Sequence, residues 1–207
     1  MNNLQTYIKY YEDNVQLARS YANKGEMGMV RSTMKEVVEG LLDLIWKTEI
    51  GGESKKNDFI ESVSKSGYSL KFQVDRHLYH TDGTMQKIGE CKAYLDRCFM
   101  ERASSDFGRI LNGVTSKPTT FILALENSVS DKAYEYYMDE GNIHKVFYLC
   151  DGKRSSTKPI WRNPHYKPIN EAKLQEFVDF IKNNQRKIWE TESFFVSLFL
   201  KKMLWQE

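Results

Sequence analysis

Two continuous apolar runs of strand length constrain this chain more than any other feature of its sequence. They are residues 119–125 (TTFILAL) and 145–150 (KVFYLC). Neither shows the polar alternation of a strand with one face in water. Runs of this kind are typical of central strands that are buried on both faces. The rest of the chain must therefore provide helices for both sides of a sheet.

Helical periodicity marks much of the remaining sequence. Residues 3–22 and 29–47 carry apolar residues at three- and four-residue steps, and Gly51-Gly52 ends the second segment. Residues 97–112 also show an apolar stripe, and Gly141 ends a further helical segment. The predicted helices span residues 3–22, 29–47, 97–112, 129–140, about 170–184 and about 188–205.

The pattern changes to the strand period of two near residue 70. Leu70, Phe72 and Val74 alternate with polar residues, and a second strand is predicted from about residue 86 to residue 95. An Asp-Gly turn signal at residues 82–83 lies between them and predicts a hairpin. Residues 53–67 are polar and are interpreted as a loop, with one helical turn around Phe59 and Val63.

The order of these elements predicts an α/β fold with one mixed central β-sheet flanked by helices. A chain of 207 residues without a low-complexity linker fits one domain. We predict a single catalytic domain over residues 1–207, with N-terminal and C-terminal helices around its core. The core spans about residues 29–150, a basic arm residues 152–168, and the C-terminal helices residues 170–205.

Composition excludes several classes of protein. Three cysteines without a CxxC pair, and four histidines without a regular spacing, argue against a disulfide scaffold and a zinc site. No apolar run approaches the ~20 residues that span a bilayer, so no membrane association is expected. The N-terminus lacks a signal layout, which predicts a cytoplasmic protein.

The net charge of +2 says little about partners, but one segment is strongly basic. Residues 152–168 contain five lysines and arginines, no acid and three of the four prolines. Such local asymmetry is typical of a surface that contacts nucleic-acid phosphate. We therefore predict that this segment contacts DNA. The candidate contacts are Lys153, Arg154, Lys158, Arg162 and Asn163.

Three residues of the predicted hairpin carry the chemistry. Glu90 and Lys92 are two apart on a strand and share one face, while Gly89, Cys91, Ala93 and Leu95 point toward a core. Folding of the hairpin brings Asp75 close to both. Two carboxylates can hold a hard divalent cation that polarises a phosphate, and a lysine beside them can orient water or neutralise charge. Asp82 is a rival for the first acid, but aspartate is favoured in such a turn for backbone reasons.

This arrangement resembles the signature of the PD-(D/E)xK nuclease superfamily. Val74-Asp75 matches its first element, with Val where Pro often stands, and Glu90-Cys91-Lys92 matches its second after the 14 residues 76–89. The resemblance covers roughly residues 29–150 and implies a restriction-endonuclease-like fold. Because of its size, its basic arm and its lack of an ATPase or helicase segment, the chain looks most like a type II restriction endonuclease.

The resemblance also implies roles for particular residues. Asp75 and Glu90 would bind Mg²⁺, the Cys91 main-chain carbonyl would be a further ligand, and Lys92 would serve the nucleophile. Such nucleases often add an acid from an N-terminal helix, which here points to Glu36 or Glu39, both off the apolar stripe. His77 lies two residues beyond Asp75 on the same strand face and is a candidate DNA contact.

These observations predict a Mg²⁺-dependent endonuclease that cuts double-stranded DNA at a short palindromic site. Two-fold protein symmetry matches a palindrome, so a homodimer of a restriction-modification system is expected. The C-terminal segment 188–205 or the N-terminal helices are the predicted contact. Two alternatives are a Holliday-junction resolvase or repair nuclease of the same fold, and a DNA-binding module without catalysis.

Overall fold

A mixed five-stranded sheet with helices on both faces forms the centre of the molecule. The computed structural model describes residues 2–115, 117–154, 157–162 and 165–183. The helices are α1 (Asn3–Asn23), α2 (Met27–Glu49), α3 (Arg97–Gly113), α4 (Asp131–Asp139) and α5 (Glu171–Lys182). The strands are β1 (Ser54–Lys56), β2 (Phe59–Val63), β3 (Ser69–Gln73), β4 (Arg76–Tyr79), β5 (Met85–Leu95), β6 (Thr119–Asn127) and β7 (Lys145–Tyr148).

The order of strands in the sheet is β1-β4-β5-β6-β7. Strands β5, β6 and β7 are parallel, and β4 and β1 continue the sheet in antiparallel pairing. This confirms the predicted mixed sheet. It also confirms the run at residues 119–125 as a buried central strand, β6. The run at residues 145–150 pairs beside it as β7, in which Val146 and Phe147 are buried.

The central strand β6 faces a different apolar layer on each side. Phe121, Leu123 and Leu125 pack in the core formed with α1, α2 and α5. Ile122 and Ala124 pack in the core formed with α3 and α4. Because side chains alternate along a strand, a run with no polar residue needs cover on both faces.

A glycine permits close packing between the two central parallel strands. A Cβ atom on Gly89 of β5 would lie 2.3 Å from Cζ of Phe121 on β6. The ring of Phe121 thus occupies the space that any other residue at position 89 would fill. Phe121 in turn packs against Phe177 and Phe180 of α5, with ring centroids 5.9 and 5.6 Å apart.

The prediction of a loop at residues 53–67 was wrong. Strand β1 forms the edge of the main sheet, and β2 pairs with β3 in a separate two-stranded sheet. Ile60 and Ser62 are buried on one face of β2, and the Ser62 hydroxyl donates to the Arg109 carbonyl of α3 at 2.7 Å. Tertiary pairing, rather than local apolar pattern, forms these short polar strands.

The predicted hairpin is present, but its first strand is shorter and lies later in the sequence. Strand β4 pairs with β5 around the turn at residues 80–84, whereas residues 69–73 belong to β3 and pair with β2. The chain therefore changes sheets at Val74 and Asp75. Asp82 accepts hydrogen bonds from the backbone and hydroxyl of Thr84, as expected of a turn residue.

Of the two predicted C-terminal helices, α5 corresponds to the first. The second, at residues 188–205, lies outside the described residues, as does the dimer contact predicted there. Within the described part of the chain, none of the helices has both the length and the apolar character needed to cross a membrane.

A buried lysine joins the first part of β5 to the end of α5. Lys87 is 1% exposed, and its ammonium donates to the main-chain carbonyls of Ile181 and Asn183 at 3.5 and 3.1 Å. The last carbonyls of a helix lack partners within the helix, so this cation caps them. Burial lowers the pKa of Lys87 to about 8.

We expect this burial to give a specific pH dependence of stability. The pKa of Lys87 is lower in the folded protein than in the unfolded chain, so the unfolded chain binds the proton more strongly between pH 8 and 10. The free energy of unfolding of the wild type, relative to Lys87→Met, should rise over this range by up to roughly 1.4 kcal/mol per pH unit. Urea unfolding at several pH values measures it. Lys65→Met, at an exposed lysine, is the control, and an equal slope for both variants would contradict the assignment.

Candidate active site

The change of sheets between β3 and β4 positions Asp75. Val74 is buried against the α3 side of the sheet, and the Asp75 carbonyl accepts a hydrogen bond from the Asn57 N–H at 3.3 Å. Arg76 of β4 pairs with Gly89, in the middle of β5. Asp75 is the residue directly before Arg76. Its side chain therefore reaches the next residues of β5, which extends beyond β4.

Asp75, Glu90 and Lys92 converge as the spacing predicts. The Lys92 ammonium lies 2.6 Å from Oδ2 of Asp75 and 2.6 Å from Oε2 of Glu90. The Cys91 N–H donates to the same Asp75 oxygen at 2.9 Å. All three side chains are largely buried but keep some solvent contact. We call these three side chains the carboxylate–lysine cluster.

The two carboxylates of the cluster have pKa values shifted in opposite directions. Burial raises the pKa of Glu90, and the nearby charge of Asp75 adds to this effect, while Lys92 opposes it. Burial also acts to raise the pKa of Asp75, but the Lys92 charge and hydrogen bonds outweigh it and lower that pKa. With both acids ionised, two negative charges face one positive charge.

The donor set of the cluster fits a hard divalent cation. Mg²⁺ takes one or two carboxylates and keeps its other positions for water and phosphate oxygens. The two carboxylates together carry more negative charge than Lys92 neutralises, which favours a cation. No group of three or more acidic, histidine or cysteine side chains forms a metal site within the described ranges. Among the described residues, the carboxylates of Asp75 and Glu90 are the candidate protein ligands at this point.

The two acids of α2 have different surroundings. Glu39 is fully buried, although the sequence placed it off the apolar stripe. Its Oε2 lies 2.9 Å from the Lys56 ammonium and 3.5 Å from the Arg76 guanidinium. Glu36 is half exposed and pairs with Lys56 at 2.6 Å. Both acids are thus engaged by cations of β1 and β4, and neither joins the carboxylate–lysine cluster in this structure.

Arg76 connects two acids of α2, Glu39 and Asp43, to the cluster. It is 2% exposed, its guanidinium lies 2.7 Å from Asp43, and it donates to the Asp75 carbonyl at 3.2 Å. A buried guanidinium needs such partners because an unpaired buried charge is costly. The α2 acids therefore hold the backbone of Asp75 through Arg76.

His77 is not placed to contact DNA from the surface. It is fully buried in β4, between Lys55 of β1 and Ile88 of β5. Burial lowers its pKa and favours the neutral ring. The reversal of pairing at Val74–Asp75 explains the error, because His77 does not share a continuous strand face with Asp75.

The basic segment lies beside the carboxylate–lysine cluster. The Arg154 guanidinium carbon lies 3.3 Å from the ring centroid of Tyr94 on β5. Lys153, Lys158 and Arg162 are exposed. Asn163 lies outside the described residues.

Both ends of this segment are tied to the sheet. Lys153 forms a parallel bridge with Asn127 of β6. At the other end, the Lys167 ammonium lies 2.6 Å from the buried Glu126 carboxylate and donates to the Lys153 carbonyl at 2.9 Å. The segment therefore leaves the sheet and returns to it at nearly the same point.

Two adjoining cavities border the cluster and add residues of α2 and α3 to its surroundings. One, of about 200 Å³, contains all three cluster residues with Lys35 of α2 and Arg102 of α3. The other, of about 290 Å³, is more apolar and extends to the basic segment. The resemblance implied that the N-terminal helix reaches the site, but it did not point to Lys35, because the packing of separate helices leaves no local signal.

Comparison with known proteins supports the fold. No family model matches the chain, and no curated protein matches it. Two similar solved structures are cAAA-bound forms of NucC, one from P. aeruginosa ATCC27853 and one from E. coli MS115-1. Identity is 13% and 12%, and the TM-score is 0.51 for both. Each comparison covers 87% of this chain, with 91% and 90% of the respective NucC chain.

This likeness concerns the fold. NucC has a restriction-endonuclease fold, so the fold implied by the PD-(D/E)xK resemblance is confirmed. At 12–13% identity, the comparison supports the fold and does not assign an activity or a partner to this chain.

The Glu39–Arg76 pair makes a stability prediction. Glu39→Gln keeps the side-chain volume but removes the negative charge that faces the buried Arg76 and the exposed Lys56, which should lower the free energy of unfolding by roughly 1–3 kcal/mol. Glu36→Gln, on the exposed face of the same helix, should change it by less than about 0.5 kcal/mol. Urea unfolding of both variants tests this. If both variants lower the free energy of unfolding by the same small amount, the burial of Arg76 does not depend on Glu39.

Proposed function

We propose that this protein is a divalent-metal-dependent endonuclease that hydrolyses phosphodiester bonds in double-stranded DNA. The observation that carries the proposal is the convergence of Asp75, Glu90 and Lys92 within 2.6 Å contacts. The restriction-endonuclease fold supports it, because the cluster lies on strands of the same mixed sheet. A purely structural ion pair would not need two acids for one lysine beside an open cavity.

Asp75, Glu90 and the Cys91 main-chain carbonyl would hold the metal ion, with Mg²⁺ as the proposed cofactor. Bound there, a divalent cation supplies Lewis-acid polarisation of phosphate and lowers the pKa of water. Cys91 fixes the Asp75 carboxylate through its N–H, so the direction of that carboxylate is set by the backbone of β5. Arg76 holds the Asp75 carbonyl from the other side.

Lys92 acts on the charge of the reacting phosphate. Its ammonium is held by two carboxylates, and the positive charge is therefore retained, with its pKa raised. A fixed cation next to a phosphodiester stabilises the negative charge that develops as water attacks. The same ammonium can donate a hydrogen bond to the attacking water and orient it.

The surrounding cations would position the DNA backbone. Lys35 and Arg102 line the cavity of the cluster, and the exposed Lys158 and Arg162 lie on the adjoining basic segment. Phosphate contacts give affinity and register rather than sequence selectivity. The segment 152–168 is therefore proposed as the DNA-contacting arm, and Lys153 and Arg154 extend it toward the cluster.

The finer proposal is a type II restriction endonuclease that cuts at a short palindromic site as a homodimer. A second candidate is a nuclease whose activity depends on bound cAAA, since both similar NucC structures are cAAA-bound forms. Plasmid DNA incubated with Mg²⁺, with and without cAAA, separates the two. Discrete fragments without cAAA support the restriction enzyme, whereas cutting that requires cAAA supports the second candidate. No cutting under either condition contradicts the proposed function.

We expect removal of the cluster side chains to abolish cleavage but not DNA binding. Lys92→Ala and Glu90→Ala should each reduce the cleavage rate by about 10²–10³-fold in Mg²⁺, because loss of one electrostatic group typically costs this much. Both should still bind DNA in Ca²⁺, as measured by fluorescence anisotropy. Asp75→Ala should be equally inactive.

Matched controls distinguish this effect from general damage. Asp82→Ala, in the β4–β5 turn, and Lys71→Ala, at an exposed strand lysine, should cut at rates close to the wild type. Full activity of Lys92→Ala would refute the assignment of the cluster as the nuclease site.

The exposed cations of the arm make a separate prediction about salt. Lys158→Ala and Arg162→Ala should weaken binding to all DNA about equally. Each should reduce the slope of log affinity against log salt by about one unit if it neutralises one phosphate. Anisotropy titrations across salt concentrations measure this. The exposed Lys24, distant in sequence in the α1–α2 turn, provides the control Lys24→Ala, and an unchanged slope in both arm variants would make the arm structural.

A further inference from the structure

The larger of the two cavities at the cluster has the chemistry of a binding pocket for a flat ring. Its volume is about 290 Å³, near the lower end of the ~300–1,000 Å³ range of small-molecule sites. Its walls are aromatic and aliphatic, with Tyr94, Phe99 and Trp161 as the aromatic members. A hydrolytic site needs carboxylates and a cation. These needs do not explain why the walls of the cavity are aromatic and aliphatic.

The walls are held in place by contacts outside the cavity. Ile160 is 1% exposed and belongs to the core with α1, α2 and α5. The next residue, Trp161, accepts a hydrogen bond at its carbonyl from the Arg19 side chain of α1 at 3.1 Å. Tyr94 packs edge-on against Phe99, at 5.9 Å between ring centroids. The pocket is therefore built before any ligand arrives, which reduces the ordering cost of binding.

The cations around the cavity favour a ligand that is aromatic and also polar. Arg154 lies against Tyr94, and Arg31 and Lys35 of α2 also border the cavity. A nucleobase offers ring faces for aromatic and guanidinium groups and carries acceptors for the N–H donors of the surrounding cations. An aliphatic ligand would contact the apolar walls but would leave the cations without a partner.

The cavity also shares residues with the cluster. Asp75 and Lys92 line this cavity as well as the smaller polar one, as do Lys35 and Phe99. A single nucleotide can therefore place its phosphate at the carboxylate–lysine cluster and its base between the aromatic side chains. This shared lining favours an occupant that is part of the DNA substrate over a separate small molecule.

We propose that this cavity, formed by Tyr94, Phe99, Arg154 and Trp161, binds a single unstacked nucleobase of the nucleotide that carries the reacting phosphate. The inference rests on the proposed nuclease function and specifies its substrate. A base inside a duplex cannot enter, so it must leave the helix, at the cost of its pairing and stacking. DNA with an unpaired nucleotide avoids most of this cost and is the preferred substrate.

The first test measures binding without cleavage. Two duplexes of the same sequence are compared in Ca²⁺, one fully paired and one with a single bulged nucleotide. The full-length wild-type protein should bind the bulged duplex at least about tenfold more tightly. Trp161→Ala should lose most of this preference, whereas Tyr136→Ala, at an exposed aromatic of α4, should keep it. Equal affinity of the wild type for both duplexes overturns the proposal.

A second measurement uses the wild-type protein alone and is independent of folding in the variants. A bulged duplex with 5-iodouridine as the unpaired nucleotide is irradiated in the complex, and the crosslinked peptide is identified by mass spectrometry. Crosslinks to Tyr94, Phe99 or Trp161 support the pocket. Crosslinks confined to the exposed part of the arm, or to another surface, overturn it.

Cleavage mapping separates this proposal from the proposed function. In Mg²⁺ the wild type should cut at the phosphate next to the unpaired nucleotide, at least about tenfold faster than the same position in paired DNA. Cleavage of both duplexes at equal rates and positions would leave the nuclease intact and overturn the pocket. A bulge preference in binding that depends on Trp161, without cleavage of any DNA, would support the pocket and refute the nuclease.

Discussion

Residues 121–125 of β6 are all apolar and fully buried, and the arrangement of the whole molecule follows from that constraint. Helices α1, α2 and α5 must cover one face, and α3 and α4 the other. Because β5 and β7 flank β6 in parallel, the chain crosses over through helices between them. The crossovers bring α3 directly after the last residues of β5. The cluster is thereby bordered by a helix on the side where β5 extends beyond its antiparallel partner.

The carboxylate–lysine cluster shows how a fold can hold charge that it does not neutralise. Two acids share one ammonium, and their pKa values are displaced in opposite directions. Each contact is made by a side chain whose backbone is fixed elsewhere: Asp75 by Arg76 and Asn57, and Glu90 and Lys92 by the ladder with β6. An arrangement of this kind costs stability. A functional requirement for charge at this point explains the cluster better than a contribution to the stability of the fold does.

Sequence pattern identified the parts of this structure that depend on local periodicity. The long amphipathic helices, the two buried strands and the spacing of Glu90 and Lys92 were all visible in it. It did not reveal β1 and β2, whose residues are mostly polar and are ordered by pairing. The burial of Glu39 was also missed, since it depends on Arg76, which lies 37 positions later in the sequence. The aromatic cavity joins Tyr94 to Trp161, and no local pattern records such a contact.

The closed base of the basic arm has a consequence for how this molecule can change. Its ends are fastened to β6 and to each other, by the Asn127–Lys153 bridge and the bonds of Lys167. For a loop whose ends are already fixed, doubling its length costs only about 0.6 kcal/mol of closure entropy. Added length in the exposed part of the arm, beside Lys158 and Arg162, therefore costs little, whereas Ile160 is buried in the core and fixes the middle of the arm. The arm can thus vary at its surface while Asp75, Glu90 and Lys92 keep their places on the sheet.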